Sequence, residues 1–409
     1  MNLRSDADGI IQESLAAILP DAAVEKALRG HTFGTGRIVL VAVGKAAWQM
    51  ARAASDELGS RIDHGIVITK YGHIKGNIPN ISCREAGHPV PDANSFAATQ
   101  EALDLTADLA AEDTVLFLLS GGGSALFEKP LIPPAELTDL TEQLLASGAD
   151  IVAVNTLRKR MSAVKGGRFA EHCAPAQVFT IVLSDILGDP LDMIASGPAY
   201  PDTSTAKDAH AVMKKYSIRL SPAATKLLDA ALPTELPNVT THITGSVREL
   251  CAAAAEAAQR RGYTPVLLTD QLDCEAREAG RFLAAIARTH AHAGSFAYIA
   301  GGETVVQLKG RGRGGRNQEI ALAAADGIAG IPNVAVFSVG SDGTDGPTDA
   351  AGGYVDGGTA AALARERRSA AEALAENDAY PALNDVGGLI VTGPTGTNVN
   401  DVSVLLIRG

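Results

Sequence analysis

A chain of 409 residues is longer than one ordinary core supports, so two domains are expected, and 46% hydrophobic with 20% charged residues excludes a largely disordered chain. A formal net charge of −12 argues against binding to nucleic acid or to an anionic membrane surface, since both need a basic face. It leaves room for local phosphate sites, which need only nearby cations and backbone N–H groups.

The chain begins Met1-Asn2-Leu3-Arg4-Ser5-Asp6, without the basic start and apolar run of a signal peptide, and no apolar stretch approaches a membrane span. A cytoplasmic protein with no nucleic-acid or membrane partner is therefore expected. Cys83, Cys173, Cys251 and Cys274 form no CxxC pair and are widely spaced, which argues against a zinc site or a disulfide framework. The 42 glycines are clustered, as in loops where backbone approaches a ligand closely.

Short apolar runs alternate with longer amphipathic segments. The pattern predicts strands over 38–43, 65–69, 114–119 and 178–183, with helices over 46–58, 95–110, 134–147 and 155–172. Such alternation predicts an α/β fold with a mainly parallel sheet. The two prolines and weak periodicity of 231–238 suggest a linker, placing the domains at 1–235 and 236–409. Beyond it, strands are predicted over 239–244, 265–269, 296–300, 304–308, 334–339, 388–392 and 402–407. Helices are predicted over 247–260, 275–292 and 317–328.

In open α/β sheets, ligands bind beyond the carboxyl ends of the strands. Five such ends carry residues of catalytic type: Gly44-Lys45, Ser120-Gly121-Gly122-Gly123-Ser124, Ser184-Asp185, Gly301-Gly302-Glu303 and Ser341-Asp342 through Gly346. Together they point to one cleft.

The three glycines of the 120–124 loop can turn consecutive N–H groups toward a phosphate, with Ser120 and Ser124 adding hydroxyls; the plain alternative is a flexible turn. Lys45 opens a helix, where a cation opposes the dipole unless an anion sits there too; otherwise it is an exposed lysine. Ala46 follows it, so no GxxxxGK[ST] phosphate loop exists. Arg158, Lys159, Arg160, Lys165 and Arg168 form a basic block that reads either as a solvated helix or as phosphate contacts.

Asp185 and Asp189 suit Mg²⁺, which takes one or two carboxylates plus phosphates, or else form a turn before Pro190. Ser196-Gly197-Pro198 is a further turn that could line the same cleft. Gly310, Gly312 and Gly315 satisfy GxGxxG, yet Arg311, Arg313 and Arg316 favour a mobile phosphate over a dinucleotide. Asp342, Asp345 and Asp349 suit substrate, Mg²⁺ or a capped turn. His88, in a Pro-rich loop, reads as structural or rim-lining.

These segments resemble the glycerate kinase family whose C-terminal part is the MOFRL domain. The resemblance rests on Val43-Gly-Lys-Ala-Ala47, the run from His88-Pro-Val-Pro to Ser95, Leu119-Ser-Gly-Gly-Gly-Ser-Ala125, Val154-Asn-Thr-Leu-Arg158, Ser184-Asp-Ile-Leu-Gly-Asp189, Gly301-Gly-Glu-Thr304, Gly314-Gly-Arg-Asn-Gln-Glu319 and Gly340-Ser-Asp-Gly-Thr-Asp-Gly346, in order along nearly the whole chain. It implies a Rossmann-like N-terminal domain, a smaller C-terminal α/β domain and an active site in the cleft between them. It also implies ATP-dependent phosphorylation of D-glycerate at the 2-hydroxyl.

On that resemblance Lys45 and Arg316 are basic active-site positions, and Ser120–Ser124 with Lys165 hold the nucleotide phosphates. Asn155, Arg158, Glu303, Asn317 and Asp342 contact substrate. Asp185 and Asp189 hold Mg²⁺, and Asp185 is a candidate proton acceptor. The partners implied are glycerate and ATP, with a homodimer among the assemblies considered. Relatives labelled hydroxypyruvate reductase keep an NAD(P)H-dependent reductase as the alternative, and a non-catalytic anion-binding protein as a third.

Overall fold

The most continuous apolar runs of the chain become its innermost strands. In the computed structural model, which describes residues 2–184, 188 and 190–409, a first sheet is built from β1 (Ile38–Val43), β2 (Ile62–Lys70), β3 (Ile81–Ala86), β4 (Thr114–Leu119), β5 (Gln177–Leu183) and β6 (Val239–Thr244). Its order is β3-β2-β1-β4-β5-β6 and every neighbouring pair is parallel. β1 and β4 are buried at every position, because a strand covered on both faces has no side left for polar residues. The order is that of the Rossmann fold, in which the chain winds outward in both directions from a central pair of strands.

A second sheet contains β7 (Thr264–Leu272), β8 (Phe296–Gly302), β9 (Val334–Gly340), β10 (Gly352–Asp356), β11 (Leu389–Ile390) and β12 (Asp401–Ile407), in the order β11-β10-β9-β12-β8-β7. Only β7 and β8 run parallel; the other pairs are antiparallel. Helix Arg316–Ala325 lies on this sheet with all positions from Asn317 to Ala325 buried.

Two compact units result. One takes in Val24–Ser184 with residues 190–244, the other residues 2–23 with 245–409. Both limits differ from the predicted 1–235 and 236–409. β6 reads in sequence as the start of the second domain, yet it pairs with β5 and completes the first sheet. The N-terminal helix Leu3–Ala17 packs into the second unit, where Ala7, Ile10, Ile11 and Leu15 meet Leu250, Ala254, Val404 and Leu406. Its polar side is tied to the same unit by Tyr263 and Arg408, both donating to Asp6, at 2.7 Å and 3.0 Å.

Other departures have local causes. The segment 304–308 is apolar but forms no strand, because β8 already pairs with β7 and β12; Val305 and Leu308 are exposed. β3 escapes notice because Cys83, Arg84 and Glu85 interrupt its apolar pattern at the sheet edge. β10 escapes because it starts Gly352-Gly353, which reads as a turn; a Cβ at Gly352 would lie 1.9 Å from the Ser338 carbonyl oxygen. The helix predicted over 155–172 is two helices, Ile151–Arg160 and Arg168–His172, parted by Gly166 and Gly167 at φ 59° and 84°. No described helix is long and apolar enough to cross a membrane.

The anchoring of the N-terminal helix is testable. Ile10 is fully buried, so Ile10→Ala is expected to cost about 2–5 kcal/mol in the unit containing residues 245–409. Chemical denaturation followed by a probe in that unit measures it, and an unchanged midpoint would show that the helix contributes nothing to that core.

Candidate active site

The connections leave β1 and β4 toward opposite edges of the sheet, so a crevice opens at their carboxyl ends. The two ends are stitched together there. Ser120 N–H donates to the Val43 carbonyl at 2.9 Å, and Lys45 N–H donates to the Gly121 carbonyl at 2.9 Å. The Ser120 hydroxyl donates to Val43 O at 3.3 Å and accepts from Ala46 N–H at 3.1 Å. Gly44 has φ +122°, and a Cβ there would lie 2.2 Å from Ser120 Oγ, so only glycine allows the closure. Ser120 is buried, and its hydroxyl joins the strands instead of facing a ligand.

Beyond this tie, Gly122 takes φ +85° and a short helical turn, Gly123–Leu126, begins. A Cβ at Gly122 would stand 2.9 Å from the His88 ring and 3.3 Å from Lys45 Cγ, so those two side chains close over the loop. The Lys45 carbonyl accepts from His73 Nδ1 at 3.0 Å. No described residue pairs with the Lys45 ammonium. An unpaired cation at the crevice of a protein of net charge −12 is the arrangement an incoming anion requires.

The basic block lies behind the loop, inside the unit. Lys165 is fully buried; its ammonium donates to the carbonyls of Ser124 at 2.8 Å and Phe127 at 3.0 Å, and faces Glu128 at 3.5 Å. Burial lowers the Lys165 pKa to about 8, with Glu128 opposing the shift and Arg158 adding to it. Arg158 reaches the Ser124 carbonyl at 3.5 Å. Asn155 accepts from Ser196 Oγ at 2.7 Å, and Ser196 Oγ lies 3.2 Å from Ser124 Oγ.

Lys165 and Arg158 thus reach the Ser124 carbonyl, and Asn155 reaches the Ser124 hydroxyl through Ser196, so all three brace the loop. Arg160 donates to the carbonyls of Ala230 and Ser204, Arg168 to that of Ser162, and Lys159 pairs with Asp192 and Asp202. The block is not a solvated helix, since its cations have partners inside the unit. Glu128 and Asp202 are the members sequence reasoning missed, since isolated acids in loops carry no pattern.

Ala195, Ser196 and Gly197 take φ of 50°, 64° and 64° in succession. Left-handed backbone at non-glycine residues is strained and clusters at functional sites. A Cβ at Gly123 would lie 2.7 Å from that of Ala195, so this segment is pressed against the glycine loop.

In the second unit, β8 and β9 end, and β12 begins, side by side: Asp401 is in register with Gly302 and with Gly340. Arg316, at the start of its helix, donates from Nε and Nη2 to Asp401 at 2.5 Å and 3.1 Å and from Nη1 to Glu303 at 2.7 Å. Among the described residues three of its five N–H donors are engaged and two remain. Burial pushes the Asp401 carboxyl up to about 6 against the pull of Arg316.

Asn317 is buried; its N–H donates to Asp345 at 3.1 Å and its Oδ1 accepts from Ser338 at 2.6 Å, so it secures the helix start and does not face outward. Asp345 caps that helix through the N–H groups of Asn317 and Gln318, the capped-turn alternative. Asp342 is half-exposed and accepts from Thr344 N–H at 2.9 Å, leaving its second oxygen at the strand end. The GxGxxG glycines serve packing: Cβ atoms at Gly310 and Gly312 would strike Glu376 and Asp378, and one at Gly315 would strike Asp345. The candidates Asp185 and Asp189 lie outside the described residues.

The support role of Lys165 has a measurable signature. Lys165→Met leaves the buried Glu128 charge uncompensated and is expected to cost about 3–5 kcal/mol, while Lys165→Met with Glu128→Gln recovers most of it. In that double variant the KM for the nucleotide should stay within a few-fold of the parent. Recovery of stability with a KM raised tenfold or more would return Lys165 to the phosphate ligands.

A family model described as a domain of unknown function (DUF4147) matches residues 6–229, and the MOFRL family model matches residues 296–401. A D-glycerate 2-kinase of Thermotoga maritima is 50% identical over 413 residues, covering 99% of each chain. The crystal structure of a glycerate kinase from Thermotoga maritima superposes with a TM-score of 0.95 at 50% identity, covering 99% of each chain. A relative from Agrobacterium vitis, 39% identical over 91% of this chain and 100% of its own, carries a hydroxypyruvate reductase name instead. The identity, the coverage and the shared fold together place this chain in the glycerate 2-kinase family, with a MOFRL domain in its C-terminal part.

Proposed function

We propose that the protein transfers the terminal phosphoryl group of ATP to the 2-hydroxyl of D-glycerate, giving ADP and 2-phosphoglycerate. The observation that carries this reading is the Lys45 side chain beside Gly122 at the β1–β4 crevice, its ammonium paired with none of the described residues, in a chain that matches proteins named glycerate 2-kinase over its full length. An ammonium and a glycine turn suit a phosphate chain, and the relatives named glycerate 2-kinase favour phosphoryl transfer over hydride transfer. ATP as donor follows from the kinase reading.

Magnesium would neutralise phosphate charge when bound with the nucleotide. Among the described residues no three acid, His or Cys side chains form a metal-holding group, and Mg²⁺ bound to ATP needs only one or two carboxylates besides phosphates and water. Asp185 and Asp189 are the residues assigned to it. Lys45 offsets charge on the transferring group, and the guanidinium of Arg316 is of the kind that takes a carboxylate or phosphoryl oxygen. Catalysis is then positioning and electrostatics, with no covalent intermediate on the protein.

The reaction is tested by ADP release with D-glycerate and MgATP, run beside NADH and NADPH oxidation with hydroxypyruvate. ADP formation is expected, and added enolase without a mutase should yield phosphoenolpyruvate. Cofactor oxidation without ADP release would replace the kinase by the reductase; ADP release with no enolase signal would remove the 2-phosphate. Lys45→Ala and Arg316→Ala should each lower kcat by roughly 10³-fold. Full kcat with a lowered Tm in Arg316→Ala would make Arg316 structural, its loss leaving Asp401 unpaired.

A further inference from the structure

His88 is placed as no structural residue needs to be. It is half-buried, and its ring stands against Gly122 on the same side as Lys45. Neither ring nitrogen has a hydrogen-bond partner among the described residues. The glycine beneath it leaves the ring's contact with the loop unobstructed: any side chain at position 122 would occupy the space of its Cδ2–Nε2 edge. The ring therefore borders the place where the loop and Lys45 would hold the reacting phosphates.

The charged groups around it are asymmetric. Burial, the largest cause, lowers its pKa below the ordinary imidazole value, and Lys45, Lys70 and His73, which face it, add to the shift. The acids of the same neighbourhood are engaged elsewhere. Glu85 accepts from the N–H groups of His73 and Ile74, at 3.1 Å and 3.2 Å. Asp92 caps the helix Ala93–Leu105 and accepts from Tyr71 at 2.6 Å. His73 has its Nδ1 on the Lys45 carbonyl, which fixes that proton in place. Among the described residues, the His88 ring is the group beside the loop with an open nitrogen.

We propose that His88 is a catalytic residue of the phosphoryl transfer, accepting the proton of the attacking substrate hydroxyl. The inference rests on the kinase reading above. In the step, the hydroxyl oxygen forms a bond to the γ-phosphorus and the bond from that phosphorus to the β–γ bridging oxygen breaks. Its electron pair leaves on ADP. The hydroxyl proton passes to a ring nitrogen of His88 and from there to solvent, which the half-exposed ring reaches. An imidazole held neutral by neighbouring cations is suited to this, since it is unprotonated at neutral pH and its protonated form is readily discharged.

The sign of the pH dependence follows. Because the cations and burial disfavour imidazolium, kcat should be level near neutrality and fall as pH drops through a value below about 6.5. The test is the pH profile of kcat for the full chain, with His88→Asn and, separately, Asp185→Asn. His88→Asn should lower kcat by about 10²-fold or more near neutrality. It should also abolish the acid limb and leave the Kd for ATP, measured by titration without glycerate, within a few-fold of the parent.

Three results would overturn the inference: unchanged kcat with the limb intact in His88→Asn; loss of the limb in Asp185→Asn alone; or a lowered Tm with kcat restored on cooling, which makes His88 structural. Absence of ADP release in the parent protein defeats the kinase reading itself and is distinguishable from all three.

Discussion

Everything at the candidate site depends on the stitch between the ends of β1 and β4. Two adjacent parallel strands whose chains depart in opposite directions would splay, leaving the carbonyl of Val43 and the N–H of Ala46 without partners. The Ser120 hydroxyl serves both, and the backbone of Lys45 is bonded to that of Gly121. Two loops from distant parts of the chain thereby become one rigid lip. The closeness needs a residue without Cβ at position 44 and another at 122, where any side chain would displace Ser120 or His88. Lys45 is thus fixed in its backbone while no described residue pairs with its ammonium, the combination that lets a flexible cation meet an anion at a defined place.

Behind the lip stands a layer of buried charge. A buried ammonium is costly unless it is hydrogen-bonded and paired. Lys165 meets both conditions through the carbonyls of Ser124 and Phe127 and through Glu128. The carbonyls at the end of the short turn Gly123–Leu126 gain donors that the turn is too short to supply itself. Rigid support beneath a binding loop is what positioning demands, because a loop that relaxes by an ångström loses the alignment of its donors. Ser196, in strained backbone, is part of the same support: its hydroxyl joins Asn155 to Ser124.

The second unit treats its cation in the opposite manner. Arg316 is held by Asp401 and Glu303, and only a guanidinium can satisfy two carboxylates and still offer donors in a fixed plane. A lysine in that position would have its one ammonium fully occupied.

The sequence by itself determined the class of fold, because long buried strands must be apolar throughout and the helices between them must be amphipathic; β1, β4 and β9 are legible for that reason. It also located the loaded strand ends, since glycine, lysine and acids have few other reasons to follow an apolar run. Tertiary structure decided which of those residues face outward. Lys165, Asn155 and Asn317 look in sequence like Lys45, yet they are buried and bonded to backbone or to other side chains, and only the packing of neighbouring elements reveals it. Tertiary structure likewise set β6 in the first sheet and the N-terminal helix in the second unit, since strand pairing and helix docking join segments far apart in the chain. His88 gained its place in the same way, for its meaning lies in Gly122 and Lys45, neither of them its neighbour in sequence.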